Sequence, residues 1–153
     1  MIIVIGSDHA AYELKQHVIK HLEEKDIEVQ DLGTHSLEST HYPIYGQRVG
    51  KAVVAGEADF GIVICGTGIG IGISANKVKG VRAATVSDTY SARMARQHNN
   101  ANVLAFGARV VGPGLADDIV DAFLAADFEA GRHQTRVDLI SQIDAGEDVT
   151  DLA

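Results

Sequence analysis

Three short stretches of the sequence combine residue types that catalytic and binding sites use. Cys65 stands directly before the glycine-rich run Gly66–Gly72, and Asp8 and His9 are neighbours near the start of the chain. A thiol near a helix N-terminus can act as a base or nucleophile, and glycines let backbone N–H groups approach an anion closely. An adjacent carboxyl and imidazole can exchange protons, or bind a sugar hydroxyl and a phosphate. His98 is a further candidate, suited to a general acid.

Arginines in the second half of the chain could supply charge for an anionic ligand. Six of the seven arginines lie at or after Arg82, and Arg109 directly follows an apolar run. Arg132 and Arg136 are four residues apart, so they share one face if this segment is helical. A pair of guanidinium groups is a natural clamp for a phosphate.

Each of these features also has a purely structural explanation, which the residues alone leave open. Cys65 could be an inert core side chain, and Asp8 could cap the first helix. The glycine run could be a tight turn without a ligand, and the arginine pair a solvated helix face. His17 and His21 have a spacing that suits a metal, but no HExxH pattern or third ligand is apparent. We therefore expect these two histidines on a solvated helix face.

The glycine run departs from the two common nucleotide-binding patterns. Lys77 does not follow a glycine, which excludes GxxxxGK[ST], and Ile71 stands where GxGxxG after Gly68 would need glycine. Both departures weaken the alternative of a non-catalytic nucleotide-binding module. A thiol hydrolase using Cys65 and His98 is another alternative, although no third orienting residue is evident.

The composition indicates a single globular domain. The chain has 153 residues, of which 46% are hydrophobic and 22% charged, enough for one sizeable core. A single cysteine excludes an intramolecular disulfide, and the net charge of −8 argues against a nucleic-acid surface. No apolar run resembles a membrane span or signal peptide. We expect a cytoplasmic protein without nucleic-acid or membrane partners, with one domain at residues 1–145 and an exposed acidic tail at 146–153.

Short apolar runs alternate with longer amphipathic segments along the chain. This order predicts an α/β fold, a Rossmann-like three-layer sandwich with a five-stranded parallel sheet. The predicted strands are Ile2–Ile5, Ile27–Leu32, Phe60–Cys65, Val81–Val86 and Val103–Phe106. The predicted helices are Ala10–Lys25, a segment from Pro43 that includes Val53, then Ser74–Val78, Asp88–Gln97, Leu115–Leu124 and a C-terminal segment containing Val137, Ile140 and Ile143.

Open parallel sheets bind ligands outside the carboxyl ends of their strands. The candidate residues lie in Ser7–His9, Cys65–Gly68 and His98–Asn100. We therefore expect these three stretches to converge at one edge of the sheet and to form one site there.

Segments spread along the chain resemble the ribose-5-phosphate isomerase type B family, which also includes galactose-6-phosphate isomerase. The matching segments are SDHA at 7–10, DLGT at 31–34, YP at 42–43, ICGTGIGI at 64–71, ANK at 75–77, GVRAA at 80–84, SARMARQHNNANVLAFGARVVG at 91–112 and GRHQTR at 131–136. The resemblance implies a Rossmann-like homodimer, often paired into tetramers, with active sites at the dimer interface. It also implies that the enzyme uses no metal and no organic cofactor.

The resemblance further implies an activity and a role for each matching residue. The activity is aldose–ketose isomerisation of a phosphorylated sugar, with ribose 5-phosphate and ribulose 5-phosphate as the expected pair. Cys65 would be the base, Thr67 and the glycine-loop N–H groups would stabilise an enediolate, and Asp8 would handle a ring oxygen or hydroxyl. His98, supplied by the partner subunit, would assist ring opening. The implied substrate-binding residues are His9, Tyr42, Gly66, Gly68, Gly70, Asn99, Arg109, Arg132 and Arg136.

Two departures from the family pattern concern the choice of sugar. His41 stands where the family usually has aspartate, in a run, THYPIYG at 40–46, that resembles the B-type subunit of galactose-6-phosphate isomerase. Gly72 stands where ribose-5-phosphate isomerases more often have serine. We expect both positions at the margin of the site. Galactose 6-phosphate, allose 6-phosphate or a tetrose phosphate therefore stays open as the substrate, although His98 and the arginine pair follow the ribose pattern.

Overall fold

Five apolar runs form one parallel sheet in the computed structural model, which describes residues 1–153. The strands are β1 (Ile2–Ser7), β2 (Glu28–Asp31), β3 (Phe60–Cys65), β4 (Ala83–Thr85) and β5 (Val103–Gly107). Their order across the sheet is β2-β1-β3-β5-β4, and every neighbouring pair is parallel. The expected five-stranded parallel α/β sheet is confirmed.

The chain has six helices, of which the first four connect successive strands and the first five cover the two faces of the sheet. They are α1 (Tyr12–Glu23), α2 (Tyr42–Val54), α3 (Ile69–Asn76), α4 (Thr89–Gln97), α5 (Pro113–Leu124) and α6 (Arg132–Asp144). Alternate strand residues enter two separate cores, because successive side chains point to opposite faces. Ile3 and Ile62 pack with α1, α4 and α5, whereas Val4 and Val63 pack with α2 and α3. This arrangement is the predicted three-layer sandwich.

The start of α3 is the main difference from the predicted elements. We expected a helix from Ser74, but α3 begins at Ile69, inside the glycine run, and its first bond joins the Gly72 N–H to the Gly68 carbonyl. Glycine disfavours helices in isolation, but here it permits close packing. A Cβ on Gly46 of α2 would lie 2.8 Å from the Ile71 carbonyl oxygen. Tertiary contact between α2 and α3 therefore outweighs the low local propensity.

β4 is shorter than predicted, covering Ala83–Thr85 instead of Val81–Val86. The Val81 N–H closes a turn onto the Val78 carbonyl, and the Arg82 N–H donates to the Asn102 side chain. Because of these bonds, the parallel pairing of β4 with β5 begins only at Ala83.

The histidines of α1 pair with acids of α5, which corrects our prediction of a solvated helix face for His21, although the side chain of His17 is still 40% exposed. His17 Nε2 lies 2.9 Å from an Asp117 carboxylate oxygen, and His21 Nε2 lies 2.8 Å from Asp121. Lys25 also donates to Asp121, at 2.7 Å. The acids lie on α5, about a hundred residues away along the chain, so no local pattern on α1 could show them. The spacing of the histidines reflects packing of α1 against α5.

The C-terminal part of the chain follows the sheet without joining it. α6 ends with a contact in which the Gly80 N–H donates to the Asp144 carboxylate at 2.6 Å. Beyond it, most residues are exposed, and a short 3-10 turn covers Thr150–Leu152. None of the helices combines the length and apolar character that a bilayer crossing requires.

Candidate active site

Asp8 and Cys65 are brought together at the carboxyl ends of two neighbouring strands. Ser7 of β1 is in register with Ile64 of β3, and the Asp8 N–H donates to the Ile64 carbonyl at 3.3 Å. Asp8, the first residue after β1, and Cys65, the last residue of β3, therefore lie together at this edge of the sheet, which we call the carboxyl edge. Both are buried, with 7% and 4% of their surface exposed.

The Asp8 carboxylate is not used as a helix cap. It precedes the short 3-10 turn His9–Ala11, but its side chain makes no capping bond, and the buried Oδ1 has no hydrogen-bond partner within the chain. A buried carboxylate oxygen without a donor is costly to stability. Its presence at this edge favours a ligand-binding or catalytic role over the capping explanation.

The Cys65 thiol lies against the turn that opens α3. The Gly68 N–H donates to Sγ over 3.2 Å, so the sulfur accepts a hydrogen bond at the start of the glycine turn. Thr67 is exposed, and its Oγ1 accepts from the Ile69 N–H at 3.2 Å. The Thr67 hydroxyl proton therefore remains available to an oxygen of a ligand. A thiol and a hydroxyl donor thus stand two residues apart.

Glycines at this turn are required by close packing. Gly68 has φ +79°, and a Cβ there would lie 2.6 Å from the Phe106 carbonyl carbon. Gly107 at the end of β5 is equally confined, since a Cβ would lie 2.5 Å from the Thr67 backbone. The backbone of the turn is therefore seated directly on the end of β5, which fixes the thiol and the N–H groups relative to the sheet.

Tyr42, Gly70, Gly66 and Arg109 border the same turn. The Tyr42 ring covers Gly70 so closely that a Cβ there would lie 2.7 Å from ring carbons. Arg109 follows β5, its N–H donates to the Gly66 carbonyl at 3.0 Å, and its side chain lies beside Gly66. Four predicted substrate-binding residues therefore lie in or against the turn that follows Cys65.

His9 lies at the carboxyl edge as well, and a loop residue holds its ring. The Thr40 N–H donates to His9 Nδ1 at 3.1 Å. This contact attaches the loop between β2 and α2 to the end of β1, beside Asp8.

His98, Asn99 and the arginine pair lie elsewhere, so our expectation that three stretches converge within one chain is wrong. α4 runs back across the sheet, and His98 follows its last turn. Asn102, shortly after it, accepts from the Gly61 N–H at the start of β3. We call the edge at which the strands begin the amino edge. The six-residue β3 separates it from Cys65 by roughly 16 Å. Helices of a parallel sheet end at the amino edge, which explains the error.

The amino edge carries a cluster of its own, which includes one residue, His133, that was not among the predicted site residues. The His98 ring stacks on His133, with centroids 4.2 Å apart and planes 8° from parallel. Arg132 precedes His133 at the start of α6, and Arg136 lies one turn later; both arginines are exposed. His133 stands between the two arginines in GRHQTR, so the same motif could have shown it.

The environment of His133 favours its neutral form. Burial lowers its pKa, and nearby His98, Arg132 and Arg136 lower it further, against the opposing effect of Glu129. Donor atoms of His98, Glu129 and His133 lie within 4.8 Å of one another. The two rings are stacked in nearly parallel planes, however, so their nitrogen lone pairs do not converge on one point. This is a poor arrangement for a metal ion.

The two departures from the family pattern have different surroundings. Gly72 faces the sheet, because a Cβ there would lie 2.4 Å from Thr85 Oγ1 and 3.3 Å from the Ala105 Cβ. This close packing explains why the position holds a glycine. His41 precedes α2 as an exposed residue whose side chain makes no capping bond.

Comparison with known proteins shows which family the chain resembles. The profile of the family described as Ribose/Galactose Isomerase matches residues 3–140. Ribose-5-phosphate isomerase B of Escherichia coli K12 is 54% identical over 142 residues, covering 93% of this chain and 95% of that protein. Galactose-6-phosphate isomerase subunit LacB of Clostridium acetobutylicum is 44% identical, covering 90% of this chain and 79% of that protein.

Solved structures show the same fold. Ribose-5-phosphate isomerase B of Clostridium thermocellum superposes with a TM-score of 0.94 at 55% identity, over 95% of this chain and 99% of that one. The Mycoplasma genitalium enzyme, solved with bound ribulose-5-phosphate, gives 0.91 at 43% identity, over 95% and 97% of the two chains. The chain therefore belongs to the ribose/galactose isomerase family of sugar-phosphate aldose–ketose isomerases.

Proposed function

We propose that this chain interconverts ribose 5-phosphate and ribulose 5-phosphate through an enediolate, with Cys65 as the base. The observation that carries the proposal is the juxtaposition at the carboxyl edge. A buried thiol receives the Gly68 N–H, and beside it stands a buried carboxylate, Asp8, with an unpartnered oxygen. Proton abstraction next to a carbonyl needs a base within reach and donors aimed at the developing oxyanion.

The proton transfers follow from this geometry. The Cys65 thiolate removes the C2 proton of the open-chain aldose, and the electron pair forms the C1–C2 double bond of an enediolate. The Thr67 hydroxyl and the N–H groups opening α3 stabilise the charge on O1. A proton passes from O2 to O1, and the Cys65 thiol returns its proton to C1, which leaves the carbonyl at C2.

We propose that each active site is completed by a second copy of the chain. His98, Asn99, Arg132 and Arg136 cannot reach Cys65 within one chain, because β3 separates the two edges. In a homodimer, the amino edge of one chain can face the carboxyl edge of its partner. The partner's His98 would then protonate the ring oxygen during opening, and the partner's arginines would clamp the phosphate.

Exposed apolar side chains around the glycine turn support such an interface. Ile69 and Ile73 of α3 are each 56% exposed, and Tyr42 and Ile44 of α2 are each 42% exposed. An apolar surface of this kind commonly marks a protein–protein contact. Its position next to Cys65 would place a partner chain directly over the site.

The choice of sugar is tested by turnover of two substrates supplied separately, ribose 5-phosphate and galactose 6-phosphate, followed by NMR without added metal. We expect conversion of ribose 5-phosphate. Conversion of galactose 6-phosphate alone would overturn the proposed substrate, and attention would pass to the His41 segment, which resembles the galactose subunit. Inactivity with both sugars would contradict the proposal altogether.

A further inference from the structure

The loop between β2 and α2 determines which nitrogen of His9 carries a proton. The backbone N–H of Thr40 can only donate, and it lies 3.1 Å from His9 Nδ1. Nδ1 must therefore accept and hold no proton. Rotating the ring by half a turn would place a C–H opposite the Thr40 N–H, which removes the bond. The contact thus selects the neutral imidazole with its proton on Nε2.

Thr40 is itself held by a buried tyrosine. Its Oγ1 lies 2.9 Å from the hydroxyl of Tyr45, which is only 7% exposed. The pKa of Tyr45 is lowered, mainly because the side chains of Thr34 and Thr40 hydrogen-bond to its oxygen. Tyr45 belongs to α2 and packs in the core with Val4 and Val49. A rigid core residue therefore fixes the loop residue that contacts His9.

The other end of the loop is anchored equally firmly to β1. Thr34 and Ser7 are joined by a hydrogen bond of 2.7 Å between the Thr34 N–H and the Ser7 carbonyl. Lys15, which is fully buried, donates to the Thr34 carbonyl at 2.6 Å and also pairs with Asp31. Both ends of the loop are thus tied to elements that lead into Asp8 and His9.

We infer that Thr40 and Tyr45 are positioning residues that hold His9 as a neutral Nε2–H donor for the substrate phosphate. In this arrangement His9 contributes direction through one hydrogen bond, while the positive charge comes from the arginines. The part of the inference that concerns phosphate rests on the proposed function. The tautomer is a property of the free protein and does not depend on it.

The first test is NMR of the histidine ring nitrogens in the full-length, substrate-free protein at about pH 7.5. His9 is assigned by comparison with His9→Gln. We expect the Nε2–H tautomer. A ring protonated on Nδ1, or on both nitrogens, would overturn the inference whatever the enzyme's substrate.

The second test removes the bond between Thr40 and Tyr45 from each side. Tyr45→Phe and Thr40→Val should each mix the His9 tautomers and raise KM for ribose 5-phosphate about threefold to tenfold, as for one neutral hydrogen bond. We expect kcat to change less than about twofold, because His9 does not touch the reacting carbons. Thr40→Ser, which keeps the hydroxyl, should restore both readouts.

Tyr90→Phe is the matched control, since Tyr90 is 63% exposed on α4. It should alter neither readout. The double variant of Tyr45 and Thr40 should be no worse than either single variant, because both remove one bond. Unchanged His9 spectra in Tyr45→Phe and Thr40→Val would overturn the positioning role, as would a loss of kcat at constant KM.

Discussion

Asp8 shows at the scale of single residues how a site can conflict with stability. Its Oδ1 is buried at the carboxyl edge without a hydrogen-bond partner. Such an atom lowers the stability of the folded protein. We therefore attribute the presence of a carboxylate at this position to a role in binding or catalysis. When the charge of a buried, unpartnered functional carboxylate is removed, a protein commonly becomes more stable and less active.

We predict that Asp8→Asn lowers kcat/KM for the sugar phosphate while leaving the protein at least as stable. The free energy of unfolding should rise by about 1 kcal/mol, because an unpartnered amide is less costly to bury than a carboxylate. Urea unfolding and steady-state kinetics would measure the two effects. Asp118→Asn, on the exposed side of α5, is the control. A clear loss of stability in Asp8→Asn would instead indicate a structural role.

Individual residues also show which parts of the site can be predicted from the sequence. The sequence predicts that Cys65 precedes a glycine turn and that Asp8 follows the first strand, because each residue stands at the end of an apolar run in a βαβ pattern. The bond between Thr40 and His9 could not, since the two residues are 31 positions apart and depend on the course of a loop. The lack of a hydrogen-bond partner for the Asp8 Oδ1 atom likewise depends on tertiary packing, which the sequence does not show.

Packing at the scale of elements explains why α3 contains so many glycines. α3 is pressed between α2 and the sheet, so that Gly72 lies against Thr85 of β4. The Thr85 hydroxyl also donates to the Gly68 carbonyl at 3.3 Å. Local propensity favours a loop over Gly66–Gly72, and only contact with neighbouring elements makes part of it helical. The first turn of α3 could therefore not be predicted from the sequence.

We predict that Gly72→Ser destabilises the protein by about 1–3 kcal/mol, the usual cost of overpacking. The new Cβ would lie 2.4 Å from Thr85 Oγ1, so the threonine must rotate and lose its bond to Gly68. Thr85→Ala in the same chain should recover most of the loss. Thermal or urea unfolding of the four variants in a double-mutant cycle would show the coupling. Additive effects would contradict direct contact.

The contacts between α1 and α5 predict a pH-dependent part of the stability. Burial raises the pKa of Asp121, but hydrogen bonds from Lys25 and His21 and their charges outweigh it and leave the pKa below its ordinary value. A carboxylate with a lowered pKa stabilises the fold above its unfolded pKa of about 3.9, and this contribution is lost as the pH falls through the folded value.

Asp121→Asn should therefore lower the free energy of unfolding by about 0.5 kcal/mol near pH 6, since the pair is partly exposed. The difference from the wild type should shrink below about pH 4. Urea unfolding across this range would measure it, with Asp118→Asn as the matched control. A difference that grows on acidification would contradict the assigned contacts.

At the scale of the whole molecule, the separation of the two edges is the feature that matters most. The fold class and the sheet followed from the alternation of elements, and the separation did not. α4 returns to the amino edge and carries His98 away from Cys65, which the alternation of elements alone did not show. The supply of His98 by a partner subunit was implied only by the family resemblance.

We predict that inactive variants complement each other if the sites are shared between chains. Cys65→Ala mixed with Arg136→Ala should recover about a quarter of the wild-type activity, because half of the dimers are mixed and one of their two sites is intact. The assay uses ribose 5-phosphate well below KM, after refolding the mixture to exchange subunits. Unmixed variants are the controls. No recovery despite proven exchange would place each site within one chain.

We propose that Cys65 moves the proton between C1 and C2, and exchange of the C2 proton with solvent tests this role. Ribose 5-phosphate in D2O is followed by proton NMR with the wild type and with Cys65→Ala, while phosphate binding is measured in parallel. We predict that the variant loses both isomerisation and exchange of the C2 proton by roughly 10²- to 10⁴-fold, yet stays folded and binds phosphate. Exchange at the wild-type rate in Cys65→Ala would show that another residue is the base.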